Sequence, residues 1–169
     1  MKTFRVQARV AAFVGAIVLL LQISPAQAQT YSYAFQFGSY GSGDGQLNIP
    51  YGVALDAAGN IYVADSGNQR VQVFNSQGNF LFKFASPAFD PPIGVALDAS
   101  GNIFVTDYYC SQGCVQVFDS QGTFLTAFGS YGRGDGQCDG PWGVAVGATG
   151  NIYVADDGNS RIEVFAPGP

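Results

Sequence analysis

The chain has 169 residues, of which 47% are apolar and 11% charged, a composition that excludes intrinsic disorder and fits one folded domain or a compact repeat array. It contains three cysteines, 23 glycines and no histidine. Without histidine, Ser-His and Cys-His triads, imidazole general bases and imidazole-rich metal sites are excluded.

The N-terminal segment predicts a secretory signal peptide at residues 1–28. Basic residues precede an apolar run from Val10 to Ile23, and the small residues Ala26 and Ala28 follow it, as signal peptidase requires. The run is short for a membrane span, and an uncleaved N-terminal anchor is the alternative. Cleavage before Gln29 would leave the protein secreted, periplasmic or at the cell surface, in an oxidising compartment.

The mature chain, residues 29–169, is expected to be acidic. Three of the seven basic residues lie in the signal segment and none of the twelve acidic ones does, which leaves a net charge of about −8. A surface of this sign repels phosphate backbones and anionic lipids. We therefore expect no nucleic acid partner and no membrane binding after signal cleavage.

A sequence repeat organises the mature chain. The segment from Gly52 to Asp65 recurs from residue 94 to 107 and again from 143 to 156, at spacings of 42 and 49 residues. Such a period is typical of propeller blades. Within each copy apolar residues alternate with small or polar ones, which predicts strands, and Gly-Asn pairs predict the hairpin turns between them.

The predicted elements are one orphan strand and three blades. The orphan strand covers 31–39 and is similar to residues 123–130, the last strand of blade two. Blade one spans 50–86, blade two 92–130 and blade three 141–166, and blade three has only three strands. The predicted fold class is therefore all-β, with the blades forming an open arc whose missing fourth strand is supplied by the orphan strand.

Blade one contains a series of short motifs. They are Gly-Asp-Gly-Gln at 43–46, Pro-x-Gly at 50–52 opening a short strand that ends in Asp, Gly-Asn-Ile-Tyr-Val-Ala-Asp at 59–65, Asn-x-Arg at 68–70 and Val-x-Val-Phe at 71–74. This series resembles the blades of the NHL-repeat family. The resemblance implies a β-propeller, with six blades expected. The chain departs from the pattern at Gly147, which replaces an Asp, at Cys114, which replaces the blade-two Arg, and at the shortened link 85–92.

Carboxylates and arginines recur at equivalent positions, which favours structural roles. Asp65, Asp107 and Asp156 end the second strand of each blade, whereas a catalytic pair needs two carboxylates in distinct environments. We expect them to accept backbone N–H groups in turns, with calcium binding or acid-base chemistry as alternatives. Arg70 and Arg161 are expected to cap carbonyls or to brace neighbouring blades. The sequence predicts no metal and no cofactor.

The cysteines predict a disulfide in blade two. Cys110 and Cys114 lie in a loop two residues longer than its blade-one equivalent, and we expect them to pair and to hold Tyr108 and Tyr109 in place. Cys138 is expected to be a small buried residue, with a thiol that pairs between chains as the alternative.

The candidate ligand-binding residues belong to loops on one side of the blades. The connections from strand two to strand three and from strand four to the next blade emerge on that side. Their aromatic and cationic residues are Tyr51, Tyr108, Tyr109, Tyr131, Arg133 and Trp142. Exposed aromatic rings with few charges suit a glycan or a peptide, and packing of these rings between blades is the alternative.

The sequence thus predicts a secreted, non-catalytic β-propeller module that binds a protein or glycan. One alternative is a lyase or lactone-type hydrolase, for which the resemblance implies metal ligands at the channel mouth. Another is a partial propeller or assembly subunit without its own ligand. A homodimer of two such arcs would complete a six-bladed ring.

Overall fold

The computed structural model describes residues 29–86 and 89–168, so the predicted signal peptide lies outside the described residues. The chain divides into two units, Met1–Ala34 and Phe35–Pro169. The described part of the first unit carries no regular secondary structure. No helix in the described ranges is long and apolar enough to cross a membrane.

The second unit is built from short strands and two single-turn 3₁₀ helices. In chain order these are β1 (Ser39–Tyr40), β2 (Gln46–Leu47), β3 (Pro50–Leu55), β4 (Ile61–Asp65), η1 (Ser66–Asn68), β5 (Arg70–Phe74), β6 (Phe80–Phe84), β7 (Pro92–Leu97), β8 (Ile103–Asp107), β9 (Val115–Phe118), β10 (Phe124–Phe128), β11 (Ser130–Tyr131), β12 (Gln137–Cys138), β13 (Pro141–Val146), β14 (Ile152–Asp156), η2 (Asp157–Asn159) and β15 (Arg161–Phe165).

Three antiparallel sheets form the blades, which confirms the predicted all-β class. The orders are β3-β4-β5-β6 in blade one, β7-β8-β9-β10 in blade two and β13-β14-β15 in blade three. Two short parallel pairs, β1 with β2 and β11 with β12, precede blades one and three. The predicted turns between first and second strands hold glycines at positive φ, such as Gly59 at 83° and Gly101 at 85°.

A bulge interrupts the innermost strand of every blade. In blade one the register shifts between Pro50 and Val53, and the same shift recurs in blades two and three. Tyr51 and Trp142 lie inside these bulges. Because a bulge bends a strand and re-aims its side chains, it places both rings at the exposed end of the innermost strands.

The orphan strand predicted at 31–39 is not a strand in the single chain. Only Ser39 pairs from this range, and residues 31–38 have no strand partner among the described residues. A strand needs a free edge, and blade one, on which Phe37 packs, already has its four strands. The open edge is that of β15 in blade three, which among the described residues pairs only with β14. Phe37 instead packs on the ring of Phe74, with ring centroids 5.0 Å apart.

The blades pack face to face through two apolar clusters. The cluster between blades one and two includes Tyr62, Val71, Val73, Val95, Ile103 and Val105. The cluster between blades two and three includes Phe104, Val115, Val117, Ile152 and Val154. Buried apolar contacts of this kind are the main stabilising contribution in a propeller, because each blade alone leaves two apolar faces in water.

Neighbouring innermost strands approach so closely that only glycine fits at the crossing. A Cβ added to Gly52 would lie 2.5 Å from the carbonyl oxygen of Ile93, and one on Gly94 would lie 2.6 Å from that of Trp142. Both distances are shorter than real Cβ contacts. These glycines therefore set the spacing between blades.

We expect Gly94→Ala to destabilise the protein by about 1–3 kcal/mol, because the added methyl group forces two backbones apart. Urea unfolding followed by circular dichroism measures this loss. Gly168→Ala is the matched control, since no atom lies within 4 Å of its added Cβ. Equal stability of the two variants would contradict the close approach.

Candidate functional site

Four of the predicted ligand-binding residues form one aromatic cluster that spans all three blades. The ring centroids of Tyr51 and Trp142 are 5.5 Å apart, those of Trp142 and Tyr108 6.2 Å, and those of Tyr108 and Tyr109 5.0 Å. All three pairs meet edge to face, the preferred arrangement for aromatic rings. Tyr51, Tyr109 and Trp142 are 50%, 57% and 44% exposed, so the cluster is open to solvent.

Backbone hydrogen bonds hold the tyrosine pair in place. The N–H of Tyr108 donates to the carbonyl of Pro91 at 3.2 Å, and the N–H of Tyr109 donates to the carbonyl of Asp90 at 3.3 Å. The turn after β8 is thereby tied to the link that enters blade two. The ring of Tyr108 also lies over Gly140, where an added Cβ would meet it at 3.3 Å.

The other two predicted residues lie elsewhere. Tyr131 and Arg133 belong to the loop around β11 and β12, and both are exposed. Among the described residues neither makes a ring contact with the aromatic cluster; Arg133 uses its carbonyl to accept a hydrogen bond from Arg161 at 3.0 Å. The structure therefore brings four of the six predicted residues together and leaves Tyr131 and Arg133 apart from them.

An open pocket of about 460 Å³ lies beside the cluster on blade three. Trp142, Gly143 and Ala155 form its apolar part, and Asp157 and Arg161 line its polar part. No motif in the sequence pointed to it. Elsewhere in the described ranges, no group of three His, Cys, Asp or Glu side chains is arranged to hold a metal ion.

The recurring carboxylates accept backbone N–H groups, as predicted. Asp65 accepts the N–H of Asn48 at 2.7 Å and forms an ion pair with Arg70 at 2.7 Å. Both charged side chains are buried. Arg70 also caps the carbonyls of Ser42, Gly43 and Gln46.

Blade three repeats this arrangement, in which a buried Asp pairs with an Arg that caps carbonyls of the loop before the blade. We call it the Asp–Arg bracket. Asp156 accepts the N–H of Asp139 at 2.7 Å and pairs with Arg161 at 3.0 Å. Arg161 caps three carbonyls of the loop before blade three, those of Arg133, Gly134 and Gln137. In both blades the bracket fastens the loop that enters the blade.

Blade two lacks the bracket, and its carboxylate is electrostatically different. Cys114 stands at the arginine position, so Asp107 has no arginine partner there. Asp107 is fully buried and accepts hydrogen bonds from the N–H of Tyr109 at 3.2 Å and from Gln116 at 2.9 Å. Desolvation by burial raises the pKa of Asp107 to about 6, with a smaller contribution from the charge of Asp90.

We expect Asp107→Asn to remove part of the pH dependence of stability. Because the folded-state pKa of about 6 exceeds the ordinary value of 3.8, the carboxyl's stabilising contribution is complete below pH 3.8 and is lost as the pH rises through 6. Relative to that of the wild type, the free energy of unfolding of the variant should therefore rise by roughly 1–3 kcal/mol between pH 4 and pH 7.

Denaturant unfolding at a series of pH values measures this gain. Asp135→Asn, in an exposed loop, controls for the change in net charge. Parallel pH profiles for the wild type and Asp107→Asn would show that the carboxyl is not perturbed.

The predicted disulfide between Cys110 and Cys114 is wrong. Cys114 is bonded to Cys138, with Cα atoms 6.0 Å apart, and Cys110 is a free, buried thiol. Cys138 is buried as expected, but it is neither an ordinary apolar residue nor a thiol that pairs between chains. The bond links blade two to the loop that enters blade three, and closing a 24-residue separation stabilises the fold by roughly 3 kcal/mol.

Local backbone geometry explains this pairing. Cys110 has φ 53° in a turn where its N–H donates to the carbonyl of Asp107, and its thiol faces that carbonyl and the carbonyl of Cys138. Cys114 immediately precedes β9, and its sulfur lies 3.4 Å from the carbonyl of Ser130 in the next loop. The sequence contained one indication of this pairing. Cys114 and Cys138 both differ from the residues at the equivalent positions of blade one.

Peptide mapping without reductant should show Cys114 linked to Cys138. Cys110 should react with an alkylating reagent only after unfolding, because desolvation and, to a lesser extent, the Asp107 charge raise the pKa of its thiol to about 12. Rapid labelling of Cys110 in the native protein, or its recovery in a disulfide, would contradict the observed pairing.

The face-to-face blades and their repeated brackets define a β-propeller repeat protein. The NHL repeat model matches residues 47–74, 89–118 and 139–165. The chain therefore belongs to the NHL repeat family.

Curated relatives share single stretches of this chain. Protein lin-41 of Caenorhabditis elegans is 51% identical over 47 residues, which are 28% of this chain and 4% of the relative. NHL repeat-containing protein 3 of Homo sapiens is 44% identical over 48 residues, which are 28% of this chain and 14% of the relative. The chain thus spans less than one sixth of the length of either protein.

Solved structures share the fold across most of the chain. A streptogramin B lyase aligns with a TM-score of 0.54 at 16% identity, covering 71% of this chain and 41% of the lyase. A catalytically inactive histidine-to-alanine variant of virginiamycin B lyase from Staphylococcus aureus, solved with quinupristin, aligns with a TM-score of 0.53 at 12% identity, covering 71% and 42%. At these identities the likeness concerns the fold alone.

Proposed function

We propose that this protein is a secreted, non-catalytic propeller module that binds a protein or glycan ligand through the aromatic cluster. The observation that carries the proposal is that four rings from three blades meet and yet remain open to solvent. Tyr51, Tyr109 and Trp142 each expose about half of their surface. Tyrosine and tryptophan supply large contact areas with little loss of conformational freedom, which suits them to recognition.

The surroundings of the cluster support recognition of an uncharged or weakly charged surface. Asp107 lies directly behind the tyrosine pair but is fully buried, so it shapes the turn and is not available to a ligand. The acidic mature surface disfavours nucleic acids and anionic lipids. A sugar face or an aromatic peptide side chain can stack on Trp142 and Tyr109, and Asp157 and Arg161 line the pocket that adjoins Trp142.

The non-catalytic assignment rests on how the acidic residues are engaged. Asp65 and Asp156 are each held by an arginine and a backbone N–H, so their lone pairs are committed to the fold. The sequence contains no histidine, whereas the lyase similar in fold is inactive as a histidine-to-alanine variant. Turnover of a lactone or ester by this protein would instead favour the hydrolase or lyase alternative.

The proposed export rests on the N-terminal segment and on the disulfide. Cys114 and Cys138 are buried and bonded, and such structural disulfides persist in oxidising compartments. The apolar run at Val10 to Ile23 is the segment that would direct export.

The proposal is tested with arrays of immobilised oligosaccharides and peptides, followed by titration of the soluble compounds that bind. Trp142 is the single tryptophan, so its fluorescence reports directly on the cluster. We expect binding to shift that fluorescence. Tyr109→Ala should weaken binding by about 5- to 30-fold, because aromatic residues in an interface contribute more than the average residue to the binding free energy.

Tyr131→Ala is the matched control, because Tyr131 is 64% exposed and lies outside the cluster. Equal losses from both variants, or binding that leaves the Trp142 fluorescence unchanged, would place the ligand elsewhere. Binding to neither array would contradict the proposal.

A further inference from the structure

The outer faces of the two end blades are apolar and uncovered in the single chain. On blade one, Val53 and Leu55 are 63% and 64% exposed. On blade three, Tyr153, Ile162 and Val164 are 40%, 60% and 50% exposed. End repeats of a repeat array normally present a polar face to water. Patches of this kind mark interaction surfaces.

The equivalent residues of the other two blades indicate what kind of surface can cover the face of blade three. Tyr153, Ile162 and Val164 occupy positions whose equivalents in the other blades pack against the following blade. These equivalents, all at most 9% exposed, are Tyr62, Val71 and Val73 in blade one and Phe104, Val115 and Val117 in blade two. The face of blade three is therefore the kind of face that a following blade covers.

The face of blade one is the complementary kind. Val53 and Leu55 are equivalent to Val95 and Leu97, which pack in the cluster against blade one. In blade three the same positions, Val144 and Val146, pack in the cluster against blade two. One chain therefore carries two complementary free faces. The face of blade one fits a preceding blade, and the face of blade three fits a following blade.

The glycine of blade three marks where the next innermost strand belongs. At Gly52 and Gly94 the neighbouring backbone would collide with an added Cβ, whereas at Gly143 the nearest atom is the Cβ of Ala155 at 3.8 Å. The space beside Gly143 is the open pocket next to Trp142. Tyr51 holds in blade one the position that Trp142 holds in blade three. The repeat therefore indicates that the carbonyl of a Tyr51 would fill the space beside Gly143.

The segment before β1 already occupies the place of a preceding blade's last strand. Phe84, on the last strand of blade one, packs on Phe118 at 4.9 Å and would meet an added Cβ on Gly122. Phe37 makes the same two contacts with Phe74 and with Gly78. Within residues 29–86 and 89–168 no preceding blade lies beside this segment, and β15 has one edge without a strand partner.

We propose that a second copy of this chain covers both faces. Blade three of each copy packs on blade one of its partner, and the segment around Phe37 joins the partner's blade three as its fourth strand. Closed propellers have about four to eight blades, so one copy supplies too few, two copies supply six and three copies exceed the range. A two-fold axis closes the ring without free edges. This proposal does not depend on the nature of the ligand.

Sedimentation equilibrium at micromolar concentration tests the assembly, with the protein expressed from its full sequence and purified after export. The expected mass is twice that of the processed chain. A monomer under these conditions, or an open-ended series of larger species, would overturn the proposal.

Gly143→Ala separates assembly from folding. The single chain has room for this methyl group, so the denaturant midpoint of the monomer should match that of Gly168→Ala. The dissociation constant of the dimer should rise by about tenfold or more, because the methyl group would collide with the partner's innermost strand. An unchanged dissociation constant would overturn the proposal.

A charge on the free face provides an independent test. Val164→Lys should also raise the dissociation constant, by about tenfold or more, because it buries an unpaired ammonium group in the interface. Leu125→Lys is the matched control: Leu125 is 52% exposed, against 50% for Val164, but lies on the outermost strand of blade two. Equal effects of the two lysines would contradict an interface on β15.

Discussion

The fold depends on the close approach of neighbouring innermost strands at a glycine. At Gly52 and Gly94 no side chain fits between the backbones, and this spacing lets the apolar faces of adjacent blades meet. Blade two has a neighbour on each side, and its strands β8 and β9 are buried throughout. Blades one and three each have a neighbouring blade on one side only, and apolar side chains of β3 and β15 therefore face water.

A second constraint is the fastening of the loop that enters each blade. The buried ion pairs of Asp65 with Arg70 and of Asp156 with Arg161 hold two of these loops. In blade two the entering link is shorter, the arginine is replaced by Cys114, and Asp107 is left with a raised pKa of about 6. The same cysteine fastens the following loop covalently through Cys138. One local departure therefore explains both the perturbed carboxyl and the disulfide.

The sequence predicted what depends on local pattern. The repeat period and strand alternation predicted the blades, and the side on which the loops emerge predicted that Tyr51 and Trp142 would lie on one face. The disulfide depended on how Cys114 is oriented toward the next blade, which spacing along the chain does not encode. Tyr131 was placed on the binding face because its loop emerges on the same side, but it lies apart from the other rings. The strand predicted at 31–39 requires a sheet edge that the single chain does not bring to it.

Amide hydrogen exchange along β15 tests whether every blade needs a neighbour on each face and a complete set of strands. In the part of one chain that the structure describes, β5 pairs on both sides, whereas Arg161–Phe165 pairs only with β14. At micromolar concentration we expect the outer-edge amides of β15 to exchange as slowly as those of β5 and to become fast on dilution to the monomer. Fast exchange of these amides at every concentration, with β5 protected, would contradict it.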